Sequence, residues 1–162
     1  MLVLDANILI RAVLGHRVRG LLIKYGGQVD FLAPDVAFDE AREHLPGVPQ
    51  KRRVPVDPAA DILASLGELV QVVEFDTYSG FESVARQRLA VRDVDDWPVL
   101  AAALTLRCPI WTEDTDFFGS GVATWTSDST SVRPCLEERS AAPARPRLFV
   151  KTAEGAGRLV HG

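Results

Sequence analysis

The chain predicts an α/β fold: a single domain with a central, mostly parallel sheet of four to five strands flanked by helices, followed by an irregular C-terminal tail. Two observations lead there. Short apolar runs of strand length recur along the chain, and stretches with helical spacing separate them as far as about residue 126. Beyond that point the alternation stops.

Leu2-Val3-Leu4 is a short apolar run ending at Asp5 and reads as a buried parallel strand. Asn7 is placed to cap the helix that follows, with Ile8, Leu9, Ala12 and Val13 at helical spacing. A second helix over 18–25 stops at Gly26-Gly27. Residues 29–33 form the second strand, closed by Pro34, and 35–45 a short amphipathic helix. Four prolines between Pro46 and Pro58 make that stretch a loop around Lys51, Arg52 and Arg53. Helix 59–69, strand 70–75 and helix 81–91 follow. Pro98 is tolerated in the first turn of a helix over 97–107. Strands over 109–111 and 122–125 complete the sheet. Residues 127–162 are rich in Ser, Ala, Pro, Arg and Gly and read as a flexible or loosely attached tail, with a brief strand at 148–150. The expected division is therefore a domain over 1–126 and a tail over 127–162.

A chain of 162 residues is long enough to bury roughly two-thirds of its unfolded surface, so it folds without disulfides or a structural metal. Cys108 and Cys135 lack Cys-x-x-Cys spacing, and His16, His44 and His161 are scattered, which argues against zinc. The opening run meets Asp5 too early for a signal peptide, and no apolar run approaches the ~20 residues a membrane helix needs. The expectation is a cytoplasmic protein with no membrane association. A net charge of -4 argues against nucleic-acid binding through bulk positive charge. It leaves room for a nuclease, because an acidic metal site lowers the net charge while its cations face the phosphates.

The acids carry the information. Ligands of open parallel sheets bind beyond the carboxyl ends of the strands. Asp5 ends the first strand with Asn7 two residues on. Thr112, Asp114 and Asp116 follow the fourth, and Asp96 opens the helix leading into it. Any one of these is more readily a helix cap, a turn residue or a solvated charge, as Asp93, Asp95 and Glu40 also are. Several converging on one sheet edge repel one another unless a cation neutralises them. Oxygen ligands suit Mg²⁺ or Mn²⁺.

At these residues the chain resembles the PIN-domain ribonucleases. Leu-Asp5-Ala-Asn7 is similar to that family's opening motif, and Glu40 in Ala-Pro-Asp-Val-Ala-Phe-Asp-Glu to the helix bearing its second acid. The third and fourth motifs are matched by Asp93-Val-Asp95-Asp96-Trp-Pro and by Cys-Pro-Ile-Trp-Thr112-Glu-Asp114-Thr-Asp116-Phe. The resemblance covers residues 1 to about 126. It implies Asp5, Glu40, Asp96 and Asp114 as catalytic acids, with Asp5, Asp96 and Asp114 on the metal and Asn7, Thr112 and Asp116 in support. Asp39 competes with Glu40, which has the better spacing from Pro34 and shares a helix row with Val36 and His44. Asp93 and Asp95 compete with Asp96, which stands at the right distance from the strand after Cys108.

The resemblance also implies an endoribonuclease acting on single-stranded RNA, with Asp5 the candidate bridge between two ions. Some relatives are toxins of bacterial toxin–antitoxin pairs, which adds an inhibitory antitoxin and a homodimer as expected partners. For substrate grip, Lys51, Arg52 and Arg53 have a better claim than Arg11, Arg17, Arg19, Lys24, Arg86, Arg88 and Arg92, which read equally well as solvated faces. Trp97, Trp111 and Trp125 offer stacking surfaces, although the latter two lie within strands. Rival readings are an aspartyl-phosphate phosphatase, whose second Asp is here Asn7, and a receiver domain, for which the lysines at 24, 51 and 151 are misplaced. A catalytically silent RNA- or protein-binding module is a fourth.

Overall fold

The computed structural model describes residues 1–47, 56–128, 147–151 and 157–161. Lys51, Arg52 and Arg53 lie outside the described residues. Five strands form one parallel sheet: β1 (Leu2–Leu4), β2 (Phe31–Pro34), β3 (Val70–Val73), β4 (Ile110–Trp111) and β5 (Thr124–Trp125), in the order β3-β2-β1-β4-β5. β1 is therefore central, with Leu2 opposite Phe31 on one side and Leu4 opposite Trp111 on the other.

The period of two along each strand divides the interior into two layers. Leu2, Leu4, Phe31, Ala33, Val70 and Trp111 face α1 (Ala6–Leu14), α2 (His16–Tyr25), α3 (Asp35–His44) and α4 (Val56–Leu66). Val3, Leu32, Val73 and Ile110 face the opposite layer, built from α5 (Phe75–Tyr78), α6 (Glu82–Arg88) and α7 (Trp97–Leu106). α7 is buried from Trp97 to Ala103 without a break, as a helix that is apolar all round must be. It ends at Arg107, whose left-handed conformation (φ 51°) turns the chain back into β4.

Several local expectations are corrected. Asp5, not Asn7, occupies the N-cap of α1, and Asn7 lies inside the first turn. The third strand stops at Val73, so Phe75 begins α5, a four-residue helix too short to show a period. α6 ends at Arg88, and a turn to Asp93 leads into a single 3₁₀ turn, Val94–Asp96. The tail holds a strand at Arg147–Lys151, around the expected 148–150. It pairs antiparallel with Gly157–His161, for which composition gave no signal.

Candidate metal centre

β1 and β4 are hydrogen-bonded neighbours, so their carboxyl ends deliver Asp5 and Thr112 side by side from opposite ends of the domain. The backbone fixes both: Asp5 N–H donates to Trp111 O (3.1 Å) and Thr112 N–H to Trp125 O (2.9 Å). Thr112 is fully buried and its hydroxyl is a hub. It donates to Asp5 Oδ2 (2.6 Å) and accepts from Asp114 N–H (2.8 Å) and Asn7 Nδ2 (3.2 Å). Asn7 Nδ2 also donates to Asp5 Oδ2, and Asn7 Oδ1 accepts from Glu113 N–H (3.2 Å). Asn7 and Thr112 thus tie the first acid to the segment carrying the last ones.

That segment curls on itself. Asp114 Oδ1 accepts from Asp116 N–H (2.9 Å), an Asx turn that swings two carboxylates to the same side. Asp96 approaches from the start of α7. Carboxylate oxygens of Asp96, Asp114 and Asp116 lie within 4.8 Å of one another, close enough to share one cation. Asp116, expected in support, belongs to this group, while Asp5 stands beside it with Oδ2 engaged by Asn7 and Thr112. The i, i+2 spacing of Asp114 and Asp116 was the available signal, and the Asx turn gives it meaning. Glu113 faces away: Oε1 accepts from Ser127 N–H (2.6 Å) and Oε2 is 3.7 Å from Arg11 Nη2.

The electrostatics match the geometry. Burial pushes the Asp5 carboxyl up to about 6, with the Glu40 and Asp114 carboxylates adding to the rise and the Thr112 hydroxyl opposing it. Asp96 is pushed up to about 7, first by burial and then by Asp5, Asp93, Asp114 and Glu40, with every influence in the same direction. Glu40 is raised too, by burial and by Asp93 and Glu43, while His44 (4.0 Å away) opposes. Asp5 and Asp96 both hold helix N-cap positions, yet neither side chain makes a capping hydrogen bond. Asp93 does cap, accepting from Asp95 N–H (2.9 Å). Asp39 pairs with Arg42 on the surface (2.5 Å), and Glu40 is the α3 acid felt by Asp5 and Asp96.

Carboxylates gathered at a sheet's carboxyl edge, with oxygen ligands only, form a donor set suited to a hard divalent cation. A family model described as PIN domain matches residues 3–135. The chain belongs to the PIN-domain family. PIN domains are generally metal-dependent nucleases, and this PIN domain carries an acidic group able to hold a metal. No curated protein matches the chain.

Other candidates resolve as structure. Trp111 and Trp97 are buried, the latter against Phe75 and Tyr78 and under the Arg86 guanidinium (4.9 Å). Trp125 is half-buried within β5. Among the described residues no helix is long and apolar enough to cross a membrane.

Proposed function

We propose that this PIN domain is a divalent-metal-dependent endoribonuclease that hydrolyses phosphodiester bonds in single-stranded RNA. Asp96, Asp114 and Asp116 would hold Mg²⁺ or Mn²⁺, with Asp5 and Glu40 completing the acidic lining. When bound, such a cation polarises the phosphate and lowers the pKa of a coordinated water, making it a nucleophile at neutral pH. The chain's own residues do the positioning. Thr112 and Asn7 orient Asp5, the Asx turn sets Asp116 against Asp114, and burial keeps Asp5 and Asp96 short of water. The observation that carries the reading is the convergence of Asp96, Asp114 and Asp116 carboxylate oxygens within 4.8 Å of one another at the carboxyl edge of the sheet, beside the buried Asp5.

The experiment is direct. Purified protein is incubated with a mixed RNA pool with and without Mn²⁺, and product ends are mapped. Metal-dependent internal cuts, abolished by EDTA, are expected. Cleavage undiminished in excess EDTA would refute the metal mechanism. No cleavage with any divalent ion would favour a silent binding module.

The proposal extends to setting: a cytoplasmic toxin, dimeric in the free state and inhibited by an antitoxin protein. Family membership and small size support it. Expression of the wild type should arrest growth of a bacterial host while D96N does not. Light scattering should report a dimer. We also propose that residues 1–126 carry the activity, with Ser127 as the closing staple: its amide meets Glu113, and its hydroxyl accepts from Trp111 Nε1 (3.1 Å). A chain truncated after Asp128 should keep metal-dependent cleavage.

A further inference from the structure

The acidic group comes from two segments of chain, Asp96 from one and Asp114 with Asp116 from the other. Like charges drawn within 4.8 Å repel, so something must hold the segments together before a cation arrives. Two exposed arginines bond from one stretch to the other. Arg92 Nη1 donates to Asp116 O (3.0 Å), and Arg88 Nη1 donates to Ser120 O (3.0 Å). Arg92 reaches the end of the Asx turn and Arg88 the loop that follows it, both from a stretch more than twenty residues earlier in the sequence.

The loop is shaped to receive them. Gly119 and Gly121 have positive φ (84° and 86°), which glycine adopts without strain. A Cβ on Gly121 would lie 2.8 Å from Arg88 Nη1, and one on Gly119 3.2 Å from Arg92 Nη2. The guanidinium groups occupy the space two side chains would need. The arginine stretch runs straight into the other half of the group, since Asp93, next to Arg92, caps the turn that ends at Asp96. Residues 88–96 therefore grip the Asp116 loop at one end and present Asp96 at the other.

We propose that Arg88 and Arg92 are positioning residues of the metal centre, a clasp that sets the separation of Asp96 from Asp114 and Asp116. This rests on the metal-centre reading above. Guanidinium suits the task because it stays charged and aims several N–H donors in fixed directions, while the acceptors are backbone carbonyls and the carboxylates stay available.

The test compares Mn²⁺ affinity by calorimetry in wild type, the double variant Arg88→Gln/Arg92→Gln, and Arg86→Gln. Arg86 lies on α6 with Arg88 but pairs with Glu82 (2.8 Å), so it controls for the loss of one positive charge near the site, and Arg88→Gln and Arg92→Gln are measured singly beside it. The double variant is expected to bind Mn²⁺ about 10–100-fold more weakly, the range for lost outer-shell partners. Cleavage should recover at saturating Mn²⁺, and Arg86→Gln should bind like wild type. Gly121→Ala, which crowds Arg88 and strains the loop at its positive φ without changing any charge, should also weaken Mn²⁺ binding. If that variant fails to fold, the double variant decides alone. Wild-type affinity in the double variant, or an equal loss in Arg86→Gln, overturns the clasp. A wild-type protein that binds no Mn²⁺ overturns the metal centre itself, and the clasp with it.

Discussion

Two acidic corners sit at the carboxyl edge of one sheet and are built on opposite terms. At the end of β2, Asp35 accepts from Val36 N–H (2.9 Å), Phe75 N–H (3.2 Å) and the Tyr78 hydroxyl (2.6 Å). Both oxygens are used, and the bonds tie α3 to α5. The buried Tyr78 phenol is raised in turn, by burial and then by its bond to Asp35. Beside the ends of β1 and β4, Asp96 makes no capping bond, and the charged groups that raise it, Asp5, Asp93, Asp114 and Glu40, are all acids. An acid at this edge is thus a structural tie when hydrogen bonds take up both its oxygens, and a candidate ligand when other acids crowd it. Sequence position alone does not separate the two.

The same substitution should split the corners in opposite directions. Asp5→Asn and Asp96→Asn should each lower metal-dependent cleavage by more than the ~10–100-fold that an outer-shell partner is worth. Both should leave the metal-free protein as stable or more so. At Asp5 the bonds from Asn7 and Thr112 converge on one oxygen, which an Asn carbonyl can replace, with the Ala6 amide as a further donor. Near-normal cleavage together with an unchanged Mn²⁺-induced rise in melting temperature would sink the assignment.

Asp35→Asn should do the reverse. Its bonds use both oxygens, so the new NH₂ faces a donor, and a loss of about 1–3 kcal/mol is expected. Denaturant unfolding measures that loss, and cleavage per folded molecule should stay close to wild type. A large drop in cleavage at unchanged stability would place Asp35 in the site and dissolve the comparison.

The contrast extends to pH. Asp5 and Asp96 hold protons more tightly folded than unfolded, where an aspartate titrates near 3.8. Between about pH 7 and that value the folded state carries the extra protons, so acidification through this window stabilises the metal-free protein. Its melting temperature should rise by several degrees from pH 8 to pH 5. Saturating Mn²⁺ should raise it most at the alkaline end. The rise should shrink in an Asp5→Asn/Asp96→Asn double variant, and an undiminished rise there would assign it to other groups.

The smallest expected effect is at Tyr78. Removing its hydroxyl in Tyr78→Phe takes one of three donors from Asp35 and should cost about 1–2 kcal/mol without altering Mn²⁺ affinity. A variant as stable as wild type would show that the remaining two donors suffice.

Much of this edge was legible in the sequence because parallel strands and their helices write strong periods. Leu2–Leu4, α7 and the order of the acids could be read directly. The Asp35 corner could not: α5 has four residues, and two of the three bonds that satisfy Asp35 come from some forty positions away. Asn7 looked like a cap because its residue type favours that role, and only the β1–β4 pairing shows it bonded to Thr112, 105 positions later. The roles of Arg88 and Arg92 were equally hidden, since a guanidinium bound to a carbonyl leaves no pattern in the chain. Asp116 was visible as an acid, but its rank among the ligands depends on a turn.

The central place of β1 also has a consequence in time. β1, the first strand of this sheet in chain order, pairs on one side with β2 after a short excursion, but its other neighbour is β4, more than a hundred residues on. Contacts of such long range close late, because loop entropy must be overcome before they form. Through most of synthesis Asp5 is present without Asp114 or Asp116, and the half-built sheet has an open edge where β4 will dock. Any metal affinity of the acidic group would therefore arrive as a single late event, when β4 adds to the sheet, and shorter fragments from the N-terminal side lack Asp114 and Asp116.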